Sequence, residues 1–362
     1  MKLNDLFDRW LRWLTSTEHN LRSFAVLRIL FGVGLLMTVV PSIADRSMIW
    51  GAASFWVDPE ASRRGYVTFD VLLPKDNPVL FDLVFFGLIG LMVLFTIGLG
   101  TRVVTPIMLI LVVSLQSNNG FVLNGGDTLY RITLLFLVFA NLSAHYSVDS
   151  WLRDRRRRTS SARRRWIPAH IRNAAHNAAL VLCCFQIIVV YTVSGVWKLT
   201  GEAWPAGTAL FYSLRIDAFM VFPMVNELIW QSSLLIYVAT FIALWSQTLF
   251  PIALLWRPSR IFVLVALVFM HSGIGLLLGL WPFSLAMIAL DMLFIRDKTW
   301  VSVTGWVRST ALWRRADDLV GRMLPRGGGR STRSTERKAP TPSEASASDE
   351  STSKEPIPTP VS

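Results

Sequence analysis

Gln186-Ile-Ile-Val-Val-Tyr191-Thr-Val-Ser194-Gly195-Val-Trp197-Lys198-Leu-Thr-Gly-Glu202-Ala-Trp204 is an apolar run that ends on a lysine and a tryptophan-flanked turn. Read as a helix, it places Tyr191, Ser194 and Lys198 three and four residues apart on one face, so two hydroxyls and an amine form a single stripe. An ionisable group inside or at the lip of a membrane span is costly to desolvate, and by default it marks a functional site. The same position also suits a lysine that snorkels its amine to the headgroups.

The composition around this run agrees with a membrane reading. Of 362 residues, 52% are hydrophobic and 17% charged, with a mean hydropathy of +0.45, too apolar for a soluble domain of this length. The net charge of +12 is concentrated in a few arginine-rich loops and the tail. That fits membrane orientation and argues against nucleic acid as a partner. Cys183 and Cys184 are adjacent, a spacing that builds neither a disulfide framework nor a metal site, so packing roles are expected. Residues 1–22 are charged throughout and do not read as a cleavable signal peptide. They place Leu3, Leu6, Phe7, Trp10, Leu11, Trp13 and Leu14 at helical spacing against charged positions, which predicts an interfacial amphipathic helix.

Outward from Lys198, the apolar runs predict an all-α polytopic bundle of about eight transmembrane helices within residues 23–298. The expected spans are Ser23 to Ile43, Val79 to Leu99, Val103 to Gln116, one reaching about His145, Asn177 to Leu199, Ser233 to Trp256, one centred on His271, and one from Pro282. Between the first two, the polar connection from Ala44 to Asn77, with Trp50, Trp56 and Pro59, is expected to hold short interfacial structure. Arg153 to Arg158 and Arg163 to Arg165 form the strongest topology signal, a loop that should stay in the cytoplasm. With eight spans, Arg102, this loop, Arg257 to Arg260 and the tail all fall on one side. The expectation is a multi-pass protein of the cell membrane with both termini cytoplasmic. Residues 299–326 read as a basic juxtamembrane segment, and 327–362 as a disordered cytoplasmic tail.

Polar residues within the spans are the other candidates. Arg28 must face the bundle interior or snorkel. Asn118 and Asn119 end the third span, where polar groups are tolerated facing a cavity or the interface. Gly125-Gly126-Asp127 suits a tight turn and a helix cap, with Arg131 four residues on within ion-pair reach, and a plain helix start accounts for it equally well. His271 lacks a second ligand at helical spacing, so no metal is expected, and a lone histidine is more often a satisfied packing residue. Asp291 has the option of pairing with Arg28. There is no P-loop, HExxH, GxSxG or dinucleotide fingerprint.

Two stretches together resemble a known group. Tyr191-Thr-Val-Ser-Gly-Val-Trp-Lys198-Leu, followed by Trp204, resembles the lysine-bearing helix of the vitamin K-dependent gamma-glutamyl carboxylases. Asn118-Asn119 and His145-Tyr-Ser-Val-Asp149 are similar to an asparagine pair and a Ser-Val-Asp segment of those enzymes. The bacterial relatives of this membrane domain are the HTTM (horizontally transferred transmembrane) proteins and the sporulation-delaying toxin maturation proteins. The contexts of Arg28, Asp127 with Arg131, Lys198 with Trp204 and Gly207, and His271 resemble that wider group over about Ser23 to Arg296. The resemblance implies a lysine base at Lys198, a reduced quinone as cofactor and a secreted peptide as substrate. It departs at Gly120, where the carboxylase has a histidine, and at Trp197, where it has a lysine. The large lumenal region of the carboxylase has no counterpart here, so full carboxylation is not expected.

Two functions follow. One is a quinone-linked or peptide-modifying membrane enzyme in which Lys198 is the base, Tyr191 shares its face, and Asp127 and Arg131 orient the site. The other is a non-catalytic membrane protein for binding, assembly or transport, in which Arg28, Asn118, Asn119, Ser194, Trp204, His271 and the rest are interhelical ties.

Overall fold

Apolar runs broken by glycine, proline and arginine turns fold here as helices. The computed structural model describes residues 3–51, 53, 77–157 and 167–309, and every regular element among the described residues is helical. Trp56, Pro59, Arg163 to Arg165 and residues 327–362 lie outside them. So does most of the expected juxtamembrane segment.

α1 (Leu3–Ser16) leaves Leu6, Phe7 and Trp10 exposed. α2 (Leu21–Val39) continues through a 3-10 turn to Ser42, and the short α3 (Arg46–Ile49) follows. α4 (Pro78–Ile97) and α5 (Thr101–Ser117) are joined by a tight turn. Then come α6 (Gly125–Leu137), α7 (Val148–Arg157) and the long α8 (Ala169–Leu199). The chain goes on through α9 (Ala209–Ser213), α10 (Pro223–Trp230), α11 (Ser233–Thr248) and α12 (Phe250–Ala253). It closes with α13 (Arg257–Leu278), α14 (Trp281–Asp291) and α15 (Asp297–Ser309).

Among the described residues, four helices are long and apolar enough to cross a membrane: Leu21–Ser42, Pro78–Ile97, Ala169–Leu199 and Arg257–Leu278. α10 and α11 meet at 94° and together qualify as a broken span or re-entrant pair, while α5 and the Trp281–Phe294 segment are shorter apolar helices. Against the eight spans expected from the sequence, helix length and apolarity alone qualify four, or five with the bent pair, among the described residues. The fourth run illustrates why. It was expected to reach about His145, but α6 stops at Leu137 and the chain turns, so that the carbonyls of Leu142 and Tyr146 receive the Arg28 guanidinium at 3.1 and 2.5 Å and that of Ser143 receives Arg153.

α2 lies at the centre, 56% buried over its apolar window against 28% to 39% for the other three long helices. Phe24, Leu27, Phe31 and Leu35 form its buried stripe, packed with Phe81, Phe85, Leu88, Met92 and Phe95 of α4 and with Ala286, Met287 and Leu290 of α14. In lipid, moving these side chains from tails to protein gains little by transfer, so close packing and polar ties carry the association. Gly98, with φ of 76°, ends α4 against the guanidinium; a Cβ there would lie 1.8 Å from Arg28 Nη1.

α8 begins eight residues before the expected Asn177, because its polar first turns have partners. Asn177 Nδ2 donates to the carbonyls of Leu14 and Thr17 at 2.8 and 2.7 Å, and Asn173 Nδ2 to that of Ser16 at 2.8 Å. Asn177 Oδ1 accepts the His19 N–H at 3.0 Å. These bonds satisfy the open carbonyls that end α1. Glu18 closes the clasp, accepting from Arg172 Nε at 2.7 Å and Asn141 Nδ2 at 2.6 Å.

Candidate functional site

The stripe on α8 is real, but the structure divides it between two clusters. At its C-terminal end, Gly195 lets α11 come close, since a Cβ there would lie 2.6 Å from the Thr248 hydroxyl. The neighbouring Gln247 can then turn its amide toward α8. Lys198 Nζ donates to Gln247 Oε1 at 2.5 Å and to Ser194 Oγ at 2.7 Å. Ser194 Oγ–H also donates to Gln247 Oε1, at 3.1 Å, and Gln247 Nε2 points to Met270 Sδ at 3.3 Å. The amine sits 5.0 Å from the centre of the Trp204 ring and is half-buried. Its acceptors are neutral oxygens, and Glu202, the nearest acidic residue in sequence, is exposed. A carboxylate partner would lock the amine as an ammonium, whereas this cradle accommodates both forms.

Two turns back, Tyr191 is fully buried. Its hydroxyl donates to Asp291 Oδ2 at 2.9 Å, and its oxygen lies 3.1 Å from His271 Nε2. Phe250 packs edge-on against Tyr191, and Phe283 edge-on against His271. Tyr191 thus shares a helix face with Lys198 without sharing its hydrogen bonds. His271 is satisfied at one nitrogen only; Nδ1 has no hydrogen-bond partner among the described residues, and neither has Asp291 Oδ1. The optional pairing of Asp291 with Arg28 is not made. Asp291 bonds Tyr191, and Arg28 caps the turn after α6.

The remaining candidates fall elsewhere. Asp127 closes the cap of α6, accepting from the Asn124 N–H at 2.8 Å and from Gln116 Nε2 at 3.1 Å. Arg131 donates to Thr128 Oγ1 at 3.2 Å. α6 and α8 meet where Thr133 donates to Gln186 at 3.1 Å. Lys198 lies about 18 Å farther along α8 from that point, whereas Asp127 is only about 9 Å back along α6. The expected role of Asp127 and Arg131 in orienting the lysine therefore has no counterpart in these bonds. Asn118 and Asn119 are buried and donate to the carbonyls of Trp50 and Ile49 at 3.1 and 2.8 Å, pinning the segment after α3 against the end of α5.

Gln247 was missed by sequence reasoning, as was Gln116. The signal was available: an amide in an apolar span needs a partner as much as a charge does. An apolar cavity between α2, α4 and α5 is lined by Leu35, Trp50, Met92, Val112 and Gln116, whose buried Oε1 has no partner among the described residues. Lys198 does not line it, so a reduced quinone seated there would not meet the amine.

The family model described as the HTTM domain matches residues 17–300. No curated protein and no solved structure matches the chain.

Proposed function

The chain belongs to the HTTM domain family, and on that premise we propose that this multi-pass membrane protein modifies or matures an extracytoplasmic peptide, with Lys198 as general base. One observation carries the reading: a half-buried amine held by two neutral acceptors and an aromatic face, with no acidic side chain among its described partners. In the eight-pass arrangement, α1 lies in the inner interface, the arginine-rich loops and both termini are cytoplasmic, and Lys198 faces outward in the cell membrane.

The cradle suits proton abstraction. A neutral Lys198 spends its N–H groups on Ser194 and Gln247 and keeps a lone pair for the substrate proton. Once protonated, the same bonds become charge-assisted and roughly twice as strong, and the face of Trp204 attracts the new cation. The interactions thus strengthen as the proton is taken, which is the condition for lowering a barrier. The test is mass spectrometry of secreted peptides from cells carrying the parent or K198A. Modification at the parental level by a normally folded K198A would refute it.

A second reading has its own observation. The bond from Lys198 to Gln247 joins α8 to α11, as an interhelical tie would in a protein for binding, assembly or transport. On that reading K198A lowers stability and leaves the secreted peptides unchanged.

A further inference from the structure

The buried cluster beneath Lys198 has an unusual pattern of satisfied and unsatisfied atoms. His271 Nε2, the Tyr191 hydroxyl and Asp291 Oδ2 form one continuous chain of hydrogen bonds, 3.1 and 2.9 Å long. The outer atom of each end group, His271 Nδ1 and Asp291 Oδ1, is buried without a partner among the described residues. Structural ties usually satisfy both ends of a buried side chain, because each orphan costs about 1–3 kcal/mol. We infer that His271, Tyr191 and Asp291 form a buried proton relay, taking up a proton at His271 Nδ1 and storing it on Asp291.

The hydrogen count supports this. A tyrosine hydroxyl has one proton, so when it is given to Asp291 the His271 nitrogen facing Tyr191 must carry its own. In that unloaded state Nε2 is protonated, Nδ1 has a free lone pair and Asp291 is a carboxylate. When a proton reaches Nδ1, the ring passes its Nε2 proton to the Tyr191 oxygen as the hydroxyl passes its proton to Asp291 Oδ2. Two bonds to hydrogen break, three form, one proton is consumed and no electrons are transferred. The loaded state has a neutral His271 protonated on Nδ1, a neutral Tyr191 and a carboxylic acid at Asp291. The two states differ by one proton and one unit of buried charge.

The surroundings keep the exchange confined. α8 contributes Tyr191 and Lys198, α13 His271 and α14 Asp291, while α12 presents Phe250 and α11 the neutral Gln247. Of the charged side chains, Lys198 acts on His271 through its field. Phe250 and Phe283 cover the rings and exclude competing donors. The service of this relay to Lys198 rests on the reading of that lysine as a base, whereas the proton exchange itself does not.

The test is time-resolved infrared spectroscopy of the full chain in lipid nanodiscs after a downward pH jump, with 13C-labelled aspartate to assign carboxyl bands. The parent should develop a carboxylic C=O band that D291N lacks. Its appearance should slow about 10²-fold in Y191F and in H271Q, the lower end of what a positioned proton donor contributes. Y191F keeps the ring and its packing, so the result does not depend on D291N folding. An unchanged rate in Y191F, or no pH-responsive band from Asp291 in the parent, would overturn the relay. K198A separates the two proposals. A band that persists while modification stops upholds both, and one that persists with modification intact upholds the relay and removes the base.

Discussion

Replacing Lys198 with methionine separates catalysis from structure, because the bonds around the amine are unequal. The one to Ser194 runs within α8 and ties nothing together; only the 2.5 Å bond to Gln247 crosses to α11. When the amine is removed, Gln247 Oε1 keeps the Ser194 proton at 3.1 Å, so no buried acceptor is orphaned. The structural cost is then one interhelical hydrogen bond, about 0.6–1.7 kcal/mol in a bilayer protein, and one contact with Trp204 of about 0.5–1 kcal/mol. K198M should lose roughly 1–3 kcal/mol, measured by thermal unfolding in detergent. If Lys198 takes the substrate proton, modification measured by mass spectrometry should fall about 10²- to 10⁴-fold, the range for a positioned base. A tie alone predicts modification that falls only with the folded fraction. Parental modification in folded K198M, or an equal loss in Q247L with Lys198 retained, would refute the assignment of the chemistry to the amine.

Three further outcomes are expected. Burial alone would raise the Glu18 carboxyl, but hydrogen bonds from Asn141 and Arg172, with the positive charge nearby, hold it below its ordinary value of 4.5. Its contribution to the clasp is therefore complete above that value and lost as pH falls through the lowered one. Hydrogen exchange in α1 should accelerate there, and E18Q should remove this pH dependence. N177A leaves the carbonyls of Leu14 in α1 and of Thr17 just after it without their amide donor, so limited proteolysis should cut α1 sooner while the core unfolds as before. G98A forces a Cβ into the Arg28 guanidinium and a left-handed residue into strain, about 3 kcal/mol or more in all. G90A, in the interior of α4 where a Cβ meets nothing within 4 Å, is the control and should keep or slightly raise the melting temperature.

Much of the helical framework was legible, because runs such as Pro78–Ile97 and Arg257–Leu278 are predominantly apolar and bounded by glycine or proline. The ends were less legible. α8 gains its first turns from Asn173 and Asn177 bonding residues more than 150 positions away, and α6 loses its last to the demand of Arg28 for carbonyls. The lysine and serine of the candidate site could be read from the spacing in one helix, and the tryptophan from the turn that follows it. Gln247 could not be paired with them, because its position depends on how closely α11 approaches Gly195. The same limit hid the link between Tyr191, His271 and Asp291, three residues on three helices that no local period relates.

α8 is an unbroken rod of 31 residues, about 46 Å from end to end. One end is gripped by the N-terminal arm and the other presents the lysine. A tilt of about 5° around its midpoint would displace each end by about 2 Å, comparable to the 2.5 Å contact between Lys198 and Gln247. Bilayer thickness or surface charge, by raising or lowering the arm, would act on the amine through this lever without touching it.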